Sequence, residues 1–353
     1  ARTTGIEPAQ ITLHRAMLGG AFGRRSVQEM DFVVDAAWLS QQLNRPVKII
    51  WSREDDVAWG WYKPMTAHVL RAAVDGNAKV LGWHHRTAVQ EPLATAEPQF
   101  YEALDHRPLV SMRGAEHPVY DLPDRLVEHL PMEPGIRTYP LLGVGVTPNK
   151  FAVESFVDEL AVVNDTDPLE FRIKLAKNSK RSQRVLAEIA KFSSWGQARK
   201  RSGHEVGLAF ADYHGSILAG VAEISVEPDR GKISVHEFWV VIDPGIAIQP
   251  DNIKAQLEGA IIFGLGNALT ERITFRNGVV QQSNFDDYVV PRISDIPRIH
   301  TSVLPSGNKP TAVGQTGAVL VAPAIANAFA RLTGKRLRHM PFIPERVRGV
   351  LNS

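Results

Sequence analysis

Two alternating, β-branched stretches, Ile217–Val226 and Lys232–Ile242, are joined through the turn Pro228-Asp229-Arg230-Gly231. A period of two commits one face of each stretch to a core, and the turn residues fold the pair back as an antiparallel hairpin. Just downstream, Pro250 and Asp251 open a helix that reaches about Leu269. Two more hairpins are expected. One pairs Thr66–Val74 with Val80–Ala88 around Asp75-Gly76-Asn77, and the other spans Arg272–Gln281 around Asn277-Gly278. A chain that must lay such helices on such hairpins is α+β, with mixed sheets and flanking helices. No internal repeat is evident.

Near the start, Ile11–Leu18 reads as a strand, Gly19–Gly23 as a loop, Val27–Leu43 as a helix and Val47–Trp51 as a strand. Met30, Val33, Val34 and Ala37 share one face of that helix, and the order makes a βαβ-like unit. From Val89 to Pro131 the periodicity fails and Pro and His are frequent, so a long irregular excursion is expected. Helices return around Phe151–Val163, from Asp167-Pro168, and at Ser182–Phe192. The last helix is expected at Pro323–Leu332, with Ala322, Ile325, Ala326 and Phe329 on one face.

The 353 residues exceed what one core usually serves, so two domains are expected, 1–200 and 201–353. The boundary falls in the polar, basic segment Gly196–Glu205, read as a solvated linker. A net charge of only +2 gives no ground for bulk binding to nucleic acid. The absence of cysteine excludes disulfides, thiolate metal sites, iron–sulfur ligation and a cysteine nucleophile within this chain. No apolar run approaches the roughly 18–20 residues of a membrane span. The opening "ARTTGIEPAQ" lacks a signal pattern and reads like a helix tail ending at Gly5, as expected of a piece of something longer.

Three segments carry candidate chemistry. Gly19–Arg25, "GGAFGRR", lies between an expected strand and helix, where it serves either as a tight turn or as an anion site with Arg24 and Arg25. It matches neither the dinucleotide nor the Walker spacing. The helix Gln256–Leu269 carries Gly259, Gly264 and Gly266, each costing about 1 kcal/mol. Close packing of another backbone explains them, or close approach of a large cofactor. Gly314-Gln315-Thr316-Gly317 is a small-residue loop whose longest side chain is a neutral amide. Elsewhere, His84 and His85 point to opposite faces of a strand, and His106, His117 and His129 have no ligand spacing. Asp55-Asp56 and Asp286-Asp287 are read as turn or cap residues. No Gly-x-Ser-x-Gly elbow is present.

Five segments occur in one order: "LGGAFGRRS…DFVVDAAWLSQQLNRPVKIIWSREDD", "NKFAVESFVDELA", "DPLEFRIKLAKN", "QPDNIKAQLEGAIIFGLGNAL" and "GQTGAVLVAPAIANAFARLTGKRLRHMPF". Together they resemble the molybdopterin-binding large subunits of the xanthine oxidase family, in the isoquinoline 1-oxidoreductase and membrane-linked aldehyde dehydrogenase branch. The resemblance runs from about Ile11 to Phe342. It implies two elongated α+β domains sharing a crevice for a molybdopterin cytosine dinucleotide. By position, Gly20, Ala21, Phe22 and Gly23 would lie beside the molybdenum, and Arg24 by the cofactor phosphates. Gln256, Gly259 and His214-Gly215-Ser216 would also contact the cofactor, and Gly314 and Gln315 would face the reaction centre. No protein ligand to the metal is implied. Implied partners are an N-terminal portion or companion polypeptide, a small subunit with two [2Fe–2S] clusters and, in this branch, a cytochrome. A periplasmic or membrane-associated site is expected over a cytoplasmic one.

The resemblance also implies a catalytic glutamate, acting as base in the oxidation of an aldehyde or N-heteroaromatic carbon with oxygen from water. Its Gly-Glu-x-Gly loop aligns with Gly314–Gly317, so Gln315 stands at the base position. An amide does not accept a proton near neutral pH, whereas a tuned carboxylate is worth about 10²–10⁴-fold. Leu142 stands near the place of an arginine that relatives use to orient substrate. Three readings follow. The chain is an active oxidoreductase in which another group is the base, with Asp286, Asp287 and His214 as candidates, or in which Gln315 only hydrogen-bonds substrate; or Gln315 is an engineered change; or the chain is a non-catalytic cofactor-binding or assembly subunit. That Thr316 and Leu142 also depart from the pattern points to natural divergence.

Overall fold

The computed structural model describes residues 1–27, 30–116, 119–197 and 202–353. Its first part contains helices α1 (Asp31–Leu43) and α2 (Arg53–Trp59), strands β1 (Thr66–Val74) and β2 (Val80–Val89), short helices α3 (Pro92–Ala96) and α4 (Pro98–Ala103), and strand β3 (Arg125–Pro131). Three helices follow, α5 (Val146–Val163), α6 (Pro168–Leu175) and α7 (Lys180–Phe192). Then come β4 (His204–Tyr213), β5 (Ser216–Glu227), β6 (Lys232–Asp243) and α8 (Pro250–Leu269). The chain closes with β7 (Phe275–Arg276), β8 (Val279–Val280), β9 (Arg298–Val303), α9 (Ala318–Thr333) and α10 (Pro344–Leu351). The sheets run β1-β2-β3, β4-β5-β6-β9 and β7-β8. The first two are mixed, because β3 pairs parallel with β2 and β9 parallel with β6.

The expected hairpins form as β1–β2, β5–β6 and β7–β8. Asn277 and Gly278, at φ 51° and 78°, make the tight turn of the last. Asp167 caps α6 by accepting from Leu169 N and Glu170 N, and Ser179 caps α7.

Helix α9 is the centre of the core. Every residue from Ala318 to Phe329 is buried, between β4, β5, α5 and α8. Gly207 of β4 makes this possible. A Cβ there would stand 2.1 Å from Ala328 N and 2.2 Å from Ala324 O, so strand and helix meet backbone to backbone. Gly264 does the same for α8, where a Cβ would lie 2.7 Å from Val321 Cγ2. Strand β4 is buried on both faces. Ala209, Ala211 and Tyr213 join the core around α8 and α9, while Leu208 and Phe210 join the core around α6 and α7.

Several expectations are corrected. Ile11–Leu18 and Val47–Trp51 are not strands; both run outside any ladder, and Ile11–Leu18 is exposed throughout. The βαβ-like unit is therefore not formed. Its helix begins at Asp31 rather than Val27, because Met30 sits in the left-handed region at φ 46°, and none of its residues is buried. The Val89–Pro131 stretch holds α3, α4 and β3; the strand lies at a sheet edge with no buried residue, so it shows no alternation. Helix α9 starts five residues before Pro323, where burial against α8 outweighs the lost N–H, and α10 follows it. Of the expected linker Gly196–Glu205, residues 198–201 lie outside the described residues, and His204 and Glu205 already belong to β4. His117 also lies outside them.

Candidate active site

Gln315 lies in the loop between β9 and α9, partly exposed. Its side-chain oxygen accepts from Gly143 N at 2.8 Å and from the Tyr213 hydroxyl at 2.9 Å. A backbone N–H can only donate, so this pairing fixes which end of the amide is which. Gly143 belongs to the turn before α5, and Tyr213 ends β4. The preceding residue in that turn, Leu142, donates its N–H to Phe22 O at 3.0 Å. A Cβ at Gly23 would lie 2.4 Å from Pro140 O, so the "GGAFGRR" loop lies directly on the Pro140–Val144 turn. On the other side, the Ser216 hydroxyl is 2.7 Å from that of Thr311 and donates to Ala312 O at 2.6 Å. Gly314 faces α8, where a Cβ would sit 3.5 Å from Gln256 Oε1.

Four segments far apart in sequence are thus gathered here: three meet the Gln315 loop, and the Phe22 loop packs on the Pro140–Val144 turn. Three of them turn in the same strained way. Phe22 and Gly23 have φ 51° and 90°, Gly143 and Val144 have 86° and 47°, and His214 and Gly215 have 45° and 88°. A left-handed β-branched valine costs on the order of 1–3 kcal/mol, and such outliers gather at functional sites.

The sequence matches the description "Molybdopterin cofactor-binding domain" twice, over residues 1–176 and 144–297. It is 36% identical over 343 residues to the isoquinoline 1-oxidoreductase subunit beta of Brevundimonas diminuta, covering 96% of this chain and 44% of that protein. It is 28% identical over 378 residues to a membrane-bound aldehyde dehydrogenase [pyrroloquinoline-quinone] of Gluconacetobacter polyoxogenes, covering 100% and 48%. The chain belongs to the molybdenum-binding subunits of the xanthine oxidase family. It spans less than half the length of these two relatives. The fold agrees with that of quinoline 2-oxidoreductase from Pseudomonas putida 86 at TM-score 0.82 and 12% identity, covering 95% of this chain and 68% of that one. It also agrees with the aldehyde oxidoreductase of Desulfovibrio gigas at 0.80 and 15%, covering 99% and 56%.

The residues present fit the family's cofactor at some of the expected positions. Gly259 is exposed on α8 with nothing within 4 Å of where a Cβ would be, and Gln256 is exposed one turn earlier. Of the three helix glycines, Gly264 and Gly266 are explained by packing and Gly259 is not; it leaves open space. Gly19 and Gly20 are exposed, as is Phe22, whose ring stacks on Phe263 at 5.7 Å. Other expected contacts are engaged within the protein. Arg24 holds Asp31 through two bonds of 3.0 Å. Ser216 is fully buried in its bonds to the Gln315 loop, and a Cβ at Gly215 would meet Thr311 Cγ2 at 2.8 Å. His214 places its ring edge-on to Tyr213 and its Nε2 3.3 Å from Arg113 Nη1. Burial, then the Arg113 charge, hold it below the usual histidine value.

Of the candidate bases, His214 alone belongs to a segment that meets the Gln315 loop. The Asp287 carboxylate accepts from Ser283 N and Asn284 N, as a turn residue does, and those bonds hold it below the ordinary value. Asp286 is exposed in the same turn. Asp55 caps α2 reciprocally with Ser52. His84 meets Glu128 while His85 is buried on the opposite face. Among the described residues, no three His, Cys, Asp or Glu side chains gather as metal ligands.

Sequence reasoning missed a polar group in the neighbouring cleft of about 1910 Å³. Lys63 Nζ donates to Leu142 O at 2.8 Å and lies 5.4 Å over the Phe263 ring. Burial pulls its amine down to about 8, against the pull of Glu271. Burial raises Glu271, although the Tyr288 hydroxyl donates to it at 3.1 Å. Burial also lifts the Tyr213 phenol to about 12, so it stays a donor to Gln315 at neutral pH. The one available signal was position, since Glu271 stands just past the glycine-rich helix, after Thr270, and Tyr213 directly precedes His214.

Proposed function

We propose that the chain is part of a molybdenum-cofactor oxidoreductase that oxidises an aldehyde or N-heteroaromatic carbon with water as oxygen source. Electrons leave through a [2Fe–2S] partner and then a cytochrome. The observation that carries this reading is the convergence of the Gly143, Tyr213–Ser216 and Gln256 segments on the Gln315 loop, with the Phe22 loop packed on the Gly143 turn. The names of the relatives, which act on isoquinoline or are aldehyde dehydrogenases, supply the substrate class. In this reading residues 1–200 and 201–353 are two molybdopterin-binding domains. A further polypeptide portion completes the subunit, as the greater length of the relatives supports. A periplasmic or membrane-associated site is part of the proposal. Among the described residues, no helix is long and apolar enough to cross a membrane.

The bound group would be a molybdopterin cytosine dinucleotide, which supplies the two-electron redox chemistry. The open backbone at Gly259, the Gln256 amide and the loop Gly20–Gly23 would hold it. Phe22 and Phe263 offer a flat apolar wall against which an aromatic ring packs with water excluded. Gln315 binds and orients; it does not move a proton.

A second reading is favoured by the same neutral amide: a cofactor-binding or assembly subunit with no turnover of its own. Metal analysis and pterin extraction on the complete complex separate the cases. Molybdenum with a nucleotide-bearing pterin, together with oxidation of aldehydes or N-heteroaromatics by an artificial acceptor, is expected. Cofactor without turnover selects the second reading, and absence of both sinks the first.

Gly259 gives a sharper check. Glycine to alanine within a helix stabilises by about 0.8–1 kcal/mol where the side chain meets nothing. Gly259→Ala is therefore expected to raise the unfolding midpoint while Gly259→Leu lowers molybdenum content severalfold. Full molybdenum retention in Gly259→Leu would place the cofactor elsewhere.

A further inference from the structure

We propose that Gln315 is a one-way hydrogen-bond donor to the ligand, that the Gly143 amide imposes this polarity, and that the Tyr213 hydroxyl holds the side chain in place. The proposal rests on the oxidoreductase reading and goes beyond it by assigning which substrates the site selects. An unconstrained amide offers a donor or an acceptor by turning over. Here the oxygen accepts from both Gly143 N and the Tyr213 hydroxyl. Turning the amide over would set its NH₂ against the Gly143 N–H, a donor with no lone pair to offer. Gly143 cannot move away easily. Its φ is 86°, and the next turn of α5 begins with Thr147 N donating to Gly143 O at 3.1 Å. The side-chain nitrogen of Gln315 bonds no described residue and is not enclosed.

The site thus shows an incoming ligand two N–H bonds and no lone pair from this side chain. A carbonyl oxygen or a pyridine-type ring nitrogen satisfies it. A pyrrole-type N–H meets another donor and loses its hydrogen bond on leaving water. The selected class is a flat aromatic ligand with an acceptor and no donor at that edge. A carboxylate at the same position would keep both bonds from Gly143 and Tyr213 yet present a lone pair instead, which inverts the preference. Gln315 is then the specificity-determining residue, and Tyr213 is its positioning residue.

The probes are quinoline, whose ring nitrogen only accepts, and indole, whose N–H only donates. Their equilibrium affinities for the complete complex are measured at neutral pH without an electron acceptor. Quinoline is expected to gain on indole by about three- to tenfold relative to the same ratio in Gln315→Met, the worth of one hydrogen bond. Gln315→Glu is expected to reverse the ratio in favour of indole. Tyr213→Phe removes one of the two bonds that hold the oxygen, so the amide swings off its position, and the ratio is expected to fall part of the way towards that of Gln315→Met. A purely structural tyrosine would weaken both probes alike and leave the ratio unchanged. An unchanged ratio in Tyr213→Phe, or equal ratios in the wild type and Gln315→Met, overturns the proposal. Molybdenum is quantified on the same samples. A cofactor-free protein that keeps the ratio retains this inference and loses the functional reading; a loaded protein without the ratio does the reverse.

Discussion

Glu154→Leu is expected to lose about 3–5 kcal/mol of unfolding free energy at neutral pH, because it strands a buried charge. Glu154 and Arg172 are both fully buried. One Glu154 oxygen accepts from the Tyr120 hydroxyl at 2.6 Å; the other accepts from Arg172 Nε at 2.9 Å and Phe210 N at 2.8 Å. Arg172 also donates to Pro168 O and Glu154 O. Leucine leaves Phe210 N, the tyrosine hydroxyl and the guanidinium unmatched, with only Asp158 at 3.8 Å near the last. Urea unfolding at neutral pH measures the loss. Arg172→Met in the same background should recover part of it, since the stranded charge is then gone. A loss below about 1 kcal/mol would place the cluster among ordinary surface pairs and defeat the argument.

The same cluster reaches the site. Glu154 lies on α5, which begins just after Gly143, and Phe210 lies on β4, which ends at Tyr213. Asn327 of α9, which follows Gln315, donates to Glu154 O at 3.3 Å and to Leu208 O at 2.9 Å. The three elements next to Gly143, Tyr213 and Gln315 are therefore pinned together at one buried point. Loss of Glu154 should loosen the Gly143–Gln315–Tyr213 arrangement along with the core.

How much of this could be read from the sequence follows from burial. The β5–β6 hairpin was legible because part of one face of each strand reaches the surface, which writes alternation into the sequence. Strand β4 was not, because "VGLAFADY" is covered on both faces and loses its period. The opposite error arose at Ile11–Leu18, where apolar alternation suggested a strand but nothing among the described residues covers it. Helix α9 was legible in type but not in extent. Pro323 reads locally as a helix start, and only the contact with α8 shows why five earlier residues are helical.

At the site, segments with an order-preserving resemblance were found, and their meeting at Gln315 is visible in the fold. The glycines of α8 looked alike in sequence, and three-dimensional surroundings divided them. Lys63 left no trace, because it acts through a backbone carbonyl many residues away, and Tyr213 was marked only by its place beside His214.

The protein is expected to lose stability steeply as pH falls from about 6.5 towards 4, through His68 and His85. His85 is fully buried on β2, and His68 lies beside it on β1 with Nδ1 3.2 Å from His85 Nε2. The Thr66 hydroxyl meets the outer nitrogen of His68, Nε2, at 3.1 Å, and the Thr87 hydroxyl lies against the inner pair, 3.1 Å from His85 Nε2 and 3.2 Å from His68 Nδ1. Among the described residues no carboxylate bonds either ring, so a positive charge there has no counter-charge bonded to it. Burial pulls His68 down to about 4 and His85 to about 3, the latter helped by the neighbouring histidines. Both folded values lie below the unfolded one. The unfolded chain therefore binds protons first as pH falls, and the stability present above about 6.5 is lost towards the folded values. For His68 alone the loss by pH 4 is on the order of 3 kcal/mol. Carboxylates also contribute to acid unfolding, so the decisive measurement is a difference. Urea unfolding at pH 7 and pH 4 should show a gap that shrinks by that amount in His68→Gln, which keeps a neutral polar group on β1 and cannot take the proton. An unchanged gap would mean that the pair is already charged at pH 7 or open to water, and that burial of His85 does not keep protons from the β1–β2 pair.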